Sequence, residues 1–144
     1  VKALGADRVI DYKTEDYMSI AKDVDIVFDT LGQNYSLESF EVVKQGGIVI
    51  SVVGPLDEAS AKMLGMSDYK LPEALAKASS DRKADYKFIL MHPNGAHLNE
   101  IKSLIEDEKI KPIIDKVYPF SESVEAFTNL ATGRAKGKIV VKVS

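Results

Sequence analysis

Two short segments at the ends of apolar runs are the residues best placed to do chemistry. Asp29–Gly32 (DTLG) follows the run Val24–Phe28, and Gly54-Pro55 follows the run Ile48–Val53. Open α/β sheets bind ligands at the carboxyl ends of their parallel strands, so both segments are candidates for a ligand-binding site. A glycine-containing turn between a strand and a helix explains the same residues equally well, and the pattern leaves both interpretations open.

Other kinds of chemistry have weaker support in the sequence. Ser51 lacks the G-x-S-x-G context of a nucleophile, and the carboxylates show no paired acid–base arrangement. His92 and His97 flank a turn without a third ligand nearby, and the absence of cysteine excludes thiolate zinc sites and disulfides. No P-loop or G-x-G-x-x-G motif occurs, and the basic run Arg134–Lys138 is most simply a solvated loop. We therefore predict no catalytic residue in this chain.

Composition narrows the class of protein. The 144 residues are 45% hydrophobic, which suffices for one domain with a real core but not for two full domains. The net charge of −3 and the scattered basic residues give no nucleic-acid-binding surface. No apolar run approaches the length of a membrane span. We expect a soluble, cytoplasmic protein.

The candidate segments belong to a strand–helix–strand unit. Val24–Phe28 and Ile48–Val53 are near-continuous apolar runs, as expected for parallel strands covered on both faces. Between them, apolar residues at helical spacing predict a helix over Ser36–Gln45. Ser36 is the predicted N-cap, and Gly46-Gly47 is the predicted left-handed exit from the helix. Such a unit closes as a right-handed parallel crossover.

The remaining pattern alternates further strands and helices. Strands are predicted at Asp7–Tyr12, Tyr86–Met91, Pro112–Tyr118 and Lys138–Val143. Helices are predicted after a Thr14 cap, over Asp57–Leu64 and Pro72–Ala78, from Leu98 to near Lys109, and from a Ser121 cap to Gly133.

The order of these motifs resembles the C-terminal half of a medium-chain dehydrogenase/reductase. The resemblance is carried by LGADRVIDY, VDIVFDTLG, GGIVISVVG, KPIIDKVYPF and GRAKGKIVV. Within the zinc-type alcohol dehydrogenase superfamily, the chain is most similar to the zinc-free, NADPH-dependent quinone oxidoreductases that resemble zeta-crystallin. The implied fold is α/β, a partial Rossmann-type parallel sheet that lacks its first two strands, over residues 1–110. Residues 111–144 would be C-terminal strands and a helix of the family's catalytic domain.

The family's strand order, 3-2-1-4-5-6, places those two strands between Asp7–Tyr12 and Val24–Phe28. The resemblance therefore implies a fragment of a larger enzyme with a gap in its sheet.

The resemblance also implies a function. It predicts hydride transfer from NADP(H) to quinones, enones or related carbonyls, with the substrate held by the missing domain, and no zinc in this chain. The implied cofactor-binding residues are Tyr12, Thr30, Leu31, Gly32, Val53, Gly54, Ile89, Leu90 and Met91. The isolated fragment is expected to be inactive.

Partners and alternative functions complete the prediction. We expect a homodimer that pairs through Tyr86–Met91, an apolar strand guarded only by Lys87, and no nucleic-acid or membrane partner. A non-catalytic nucleotide-sensing domain and a structural, self-associating fragment are the two alternatives that the residues leave open.

Overall fold

The computed structural model describes all residues, Val1–Ser144, as two compact units, Val1–Met91 and His92–Ser144. Its strands are β1 (Val24–Asp29), β2 (Val43–Ser51), β3 (Asp85–Phe88), β4 (Ile114–Pro119) and β5 (Lys138–Lys142). Its α-helices are α1 (Tyr17–Ile20), α2 (Asn34–Val42), α3 (Glu58–Met63), α4 (Glu73–Arg82), α5 (Gly95–Glu106) and α6 (Ser123–Ala131). The assignment of residues 1–110 and 111–144 to two parent domains stays a prediction, because compactness does not reveal which domain a segment comes from.

The first unit is built on a parallel sheet of three strands in the order β1-β2-β3. Asp29 lies opposite Ser51, and Ser51 lies opposite Phe88, so the carboxyl ends of the strands are level. The predicted α/β class, with parallel strands joined by helices, is confirmed. The level strand ends bring the loops that follow β1 and β2 to the same edge of the sheet.

The core of this unit lies between the sheet and two helices. α2 and α4 both contact β2 and each other. The buried cluster consists of Phe40, Val43, Val49, Leu75 and Ala84. Burying each large aliphatic or aromatic side chain of this kind contributes about 1.5–3 kcal/mol, so the cluster fixes the helices on the sheet.

The glycine pair was predicted wrongly. α2 ends at Val42, and Gly46-Gly47 lies inside β2 rather than at a helix exit. A Cβ on Gly47 would lie 2.7 Å from the carbonyl oxygen of Asp25, and Gly46 has φ +75°. The register of β1 against β2 shifts at this point. The glycines therefore allow a bulge and a close approach of two backbones.

Several predicted boundaries near the N-terminus were also wrong. Asp7–Tyr12 forms no strand, since the segment has no ladder partner in the sheet. α1 is capped by Asp16, which accepts from the N–H of Met18, and not by Thr14. α2 begins at Asn34, and the Ser36 hydroxyl faces inward instead of capping the helix.

The third strand is shorter than predicted. It ends at Phe88 instead of Met91, although the Ile89 N–H still donates to the Ser51 carbonyl oxygen at 2.9 Å. The predicted helix over Asp57–Leu64 is confirmed as α3, with Asp57 as its N-cap. Asp57 is therefore the residue that sets where this helix starts.

The second unit contains one parallel pair, β4 and β5, with α5 and α6. Tyr118 is its buried aromatic residue, and its hydroxyl accepts a hydrogen bond from the Asn129 amide at 2.9 Å. The predicted Ser121 cap is replaced by a short 3₁₀ helix, Phe120–Glu122, which precedes α6. None of the chain's helices is both long and apolar enough to cross a membrane.

Candidate functional site

A buried carboxylate organises the carboxyl edge of the first sheet. Asp29 is the last residue of β1 and is only 5% exposed. Its Oδ1 accepts hydrogen bonds from the backbone N–H groups of Leu31 and Gly32, both at 2.9 Å. Its Oδ2 accepts from the hydroxyls of Ser36 at 2.5 Å and Ser51 at 3.0 Å. Both oxygens are therefore occupied by donors from this chain.

Ser51 carries the network from the first loop to the second. Its hydroxyl oxygen accepts from the N–H of Gly54 at 2.7 Å and from the N–H of Val53 at 3.3 Å. The backbone supports the same link, because the Val52 N–H donates to the Asp29 carbonyl oxygen at 3.1 Å. One carboxylate thus fixes the turns after both β1 and β2.

The electrostatics follow from this geometry. Burial alone would raise the pKa of Asp29, but the hydrogen bonds from Ser36, Gly32, Leu31 and Ser51 outweigh it and lower the pKa below its ordinary value. Asp29 is consequently ionised at neutral pH. No buried side-chain nitrogen or oxygen lacks a hydrogen-bond partner. The network is complete without a ligand.

Two glycines allow the loops to meet. Gly32 has φ +67°, and a Cβ there would lie 2.8 Å from the Val53 carbonyl oxygen. At Gly54 a Cβ would lie 2.8 Å from the hydroxyl oxygens of Ser51 and Tyr86 and closer still to that of Ser36. The Tyr86 hydroxyl in turn donates to the Pro55 carbonyl oxygen at 2.7 Å.

A cleft of about 560 Å³ lies beside this junction, on the β1 side of the sheet. Most of its lining is apolar or aromatic. It is lined by Ile10, Tyr12, Tyr17, Val27, Phe28, Asp29, Thr30, Leu31, Tyr35 and Ser39. A cleft of this size and character suits a planar organic group with few polar contacts.

The structure places the predicted site residues in two groups. Tyr12, Thr30 and Leu31 line the cleft. The second group lies at the loop junction or just beyond β3. It comprises Gly32, Val53, Gly54, Ile89, Leu90 and Met91. Their role toward a cofactor stays a prediction.

Sequence reasoning missed the polar residues that hold these loops. Asp29 was treated as part of a turn, Ser36 as a helix cap, and Ser51 only as an unsupported nucleophile. The available signal was an acid at the end of an apolar strand, followed two and three residues later by the N–H groups that it binds. Ser51 and Tyr86 gave no local signal, because strand pairing brings Ser51 to Asp29 and lets the Tyr86 hydroxyl reach the Pro55 carbonyl oxygen.

Comparison with known proteins identifies the family. The family model described as zinc-binding dehydrogenase matches residues 4–141. The chain belongs to the zinc-binding dehydrogenase family. The predicted resemblance to medium-chain dehydrogenase/reductases is thereby confirmed.

Curated relatives and solved structures agree with this assignment. The chain is 31% identical to the mitochondrial NAD(P)H oxidoreductase RTN4IP1 of Bos taurus, over 99% of this chain and 38% of the relative. It is 32% identical to the 2-methylene-furan-3-one reductase of Solanum lycopersicum, over 98% of this chain and 30% of the relative. The quinone oxidoreductase of Coxiella burnetii matches with a TM-score of 0.75 and 27% identity, over 99% of this chain and 41% of that chain. The chain thus spans about two-fifths or less of the length of these relatives.

The family is named for zinc binding, so the residues of this chain can be compared with the requirements of a zinc site. No group of three or more His, Cys, Asp or Glu side chains in the chain is arranged to hold a metal ion. The carboxylate of Asp29, which is buried, is already fully occupied by protein donors. The residues of this member of the family do not provide a zinc site.

Proposed function

We propose that the chain is the cofactor-domain part of an NADPH-dependent oxidoreductase that reduces quinones, enones or related carbonyls by hydride transfer. The observation that carries this proposal is the junction of two loops at the carboxyl edge of a parallel sheet, fixed by Asp29 in a member of the zinc-binding dehydrogenase family. The printed names of the relatives support the reaction class, since they include an NAD(P)H oxidoreductase and a quinone oxidoreductase.

The residues of this chain would hold the nicotinamide end of the cofactor. Thr30 and Leu31 offer side chains from the cleft. Gly54 lies in the turn after β2, where its missing Cβ leaves room for the hydroxyls of Ser36, Ser51 and Tyr86 rather than for a ligand. Ile89–Met91 would supply backbone groups, and Tyr12 would lie toward the adenosine ribose. The bound cofactor supplies the hydride, so the chain needs to bind and orient rather than to exchange protons.

The first test uses the isolated chain. We expect no detectable reduction of a quinone panel by NADPH, and NADPH binding weaker than low micromolar. The sequence contains no glycine-rich phosphate loop, and each missing charge-assisted contact weakens binding by about 1.5–3 kcal/mol, or roughly 10–100-fold. Calorimetric titration and steady-state kinetics measure both quantities. Turnover above background would contradict the expected inactivity.

A matched pair of variants tests the location of binding. Leu31 in the cleft is 64% exposed, and Leu98 on α5 is 65% exposed. Leu31→Ala should weaken NADPH binding severalfold, whereas Leu98→Ala should leave it unchanged. Equal effects, or none in either variant, would place binding elsewhere. NADPH binding without turnover in the full-length protein, as opposed to this chain alone, would favour a nucleotide-sensing domain.

We further propose a homodimer that pairs beyond the end of β3. β3 is an edge strand, and Ile89 and Met91 are exposed. At Phe88, however, the outer backbone of β3 already has partners within the chain. The Phe88 N–H donates to Asp57 Oδ2 at 2.9 Å, and its carbonyl oxygen accepts from the Ser60 hydroxyl at 3.1 Å. Phe88 is therefore not free for pairing between copies, and the proposed pairing lies beyond it.

Two substitutions separate the possible interfaces. Ile89→Lys should give a monomer by light scattering, because a charge would be buried at the pairing edge. Ile26→Lys places the same charge on the exposed outer strand β1 and should leave the dimer intact. The opposite result would move the interface to β1. The cellular compartment is a separate proposal: we expect the cytoplasm, although the bovine relative is mitochondrial by name.

A further inference from the structure

We propose that Asp29 is a positioning residue, whose buried carboxylate holds the Thr30–Gly32 turn and the Val53–Pro55 turn in one geometry that receives a neutral planar ring and not a phosphate. The inference rests on the proposed function, because it names the part of the cofactor that these turns face. It adds a role for Asp29 and Ser51, to which the proposed function assigns no contact with the cofactor.

The two carboxylate oxygens serve different loops. Oδ1 binds the first turn directly, through the N–H groups of Leu31 and Gly32. Oδ2 reaches the second turn through Ser51, whose hydroxyl oxygen accepts from Gly54. A hydrogen bond to an ionised acceptor is about twice as strong as a neutral one, so a single charge can couple both turns. Loss of Asp29 should therefore disturb Gly54, which it does not touch.

The same bonds decide what the turns can bind. Phosphates are usually held by free backbone N–H groups at loops and helix starts. Here the N–H groups of Leu31, Gly32, Val53 and Gly54 all point into the protein, toward Asp29 or Ser51. The fixed negative charge beneath them further disfavours an anion. What faces outward is the exposed side chain of Leu31 and the apolar wall of the cleft. This surface fits the nicotinamide ring and not the pyrophosphate.

The role proposed for Asp29 differs from that of an ordinary core residue. The apolar core of the unit lies around Phe40, Val49 and Leu75. A charge placed only to fill space at the strand end would be less stable than an apolar side chain of similar volume. Full occupation of both oxygens by loop donors instead gives the site a fixed shape before any ligand arrives.

The experiment is saturation-transfer NMR with NADPH on the isolated chain, which detects weak binding and reports the nicotinamide and adenine protons separately. In the native chain, transfer to the nicotinamide protons should exceed transfer to the adenine protons. Asp29→Ala and Ser51→Ala should each reduce the nicotinamide signal at least twofold while leaving the adenine signal unchanged. Asp29→Asn keeps one oxygen for the two backbone N–H groups and should restore part of it. Ser79→Ala is the matched control, since Ser79 also donates a side-chain hydrogen bond, to Ala84, but lies outside the network.

Amide exchange in the unliganded chain supplies the second measurement. Asp29→Ala should speed exchange of Leu31, Gly32 and Gly54 about tenfold, whereas Ser51→Ala should do so only for Val53 and Gly54. Unchanged exchange at Gly54 in Asp29→Ala would overturn the coupling. Equal loss of the nicotinamide and adenine signals would overturn the positioning role, since it indicates general unfolding. If the native chain gave an adenine signal but no nicotinamide signal, the proposed function would fail, and amide exchange would still decide whether Asp29 couples the turns.

Discussion

Gly54→Ala is the substitution whose effect the structure specifies most closely. The new Cβ would lie 2.8 Å from the hydroxyl oxygens of Ser51 and Tyr86 and would also contact that of Ser36. Overpacking of this kind destabilises by about 1–3 kcal/mol. The φ of Gly54 lies outside the left-handed region, so alanine adds no backbone strain and regains about 0.4–1 kcal/mol by restricting the unfolded chain. The net expected loss lies between about 0 and 2.6 kcal/mol, and the middle of that range is about 1–2 kcal/mol.

Urea unfolding of the isolated chain measures this loss. With a slope of about 2 kcal/mol/M, the midpoint should fall by about 0.5–1 M. Gly95→Ala is the control, because a Cβ there meets nothing within 4 Å and φ is again not left-handed. The double variant Ser36→Ala/Gly54→Ala should lose less than the sum of the single variants, since one of the contacts is removed. A Gly54→Ala midpoint equal to that of Gly95→Ala would refute the close packing of hydroxyls around this residue.

Two further predictions concern carboxylates. Burial would raise the pKa values of Asp29 and Asp57, but their hydrogen bonds lower both pKa values below the ordinary value of about 3.9. Just below that pH, the folded state therefore binds fewer protons than the unfolded state. Stability should be full above about pH 5 and should fall as the pH drops through the lowered values, and Asp29→Asn/Asp57→Asn should flatten this dependence in urea midpoints taken from pH 6 to pH 3. Asp57→Ala should also release the Phe88 N–H at the edge of β3 and so increase self-association, which analytical ultracentrifugation measures. Asp16→Ala removes only a helix cap and should not increase self-association. Equal association of the two variants would contradict the idea that Asp57 protects the edge of the sheet.

The elements that were predicted correctly could each be recognised from a few neighbouring residues in the sequence. The apolar runs of β1 and β2 are parallel strands, and α3 begins after the Asp57 cap, because burial on both faces and a side-chain cap are encoded within a few residues. The approximate positions of α4, α5, α6, β4 and β5 follow from the same periodicity. These elements needed no knowledge of their neighbours.

The wrong predictions lie where contacts with residues outside the local segment determine the structure. Gly46-Gly47 has the local pattern of a helix exit, yet the approach of Asp25 makes it a bulge in β2. Asp7–Tyr12 has the composition of a strand but no ladder partner. Ser36 fits a cap by residue type, yet its hydroxyl binds Asp29, seven positions earlier. At Gly46-Gly47 and Ser36, tertiary contacts outweigh a local preference of about 1 kcal/mol, whereas Asp7–Tyr12 lacks the partner that a strand needs.

The carboxyl edge of the sheet differs from the rest of the first unit in how it is held. Asp29 ties the end of β1 to that of β2 through Ser51, and the Ser51 carbonyl oxygen accepts from Ile89, just beyond β3. Asp57 and Ser60 then fix the outer side of β3 at Phe88. All three strand ends are thus joined by hydrogen bonds that are at least partly shielded from water, where such bonds are stronger than on the surface. A sheet edge fixed in this way can present the Thr30–Gly32 and Val53–Pro55 turns in one arrangement without a ligand, as the orientation of a nicotinamide ring proposed above would require.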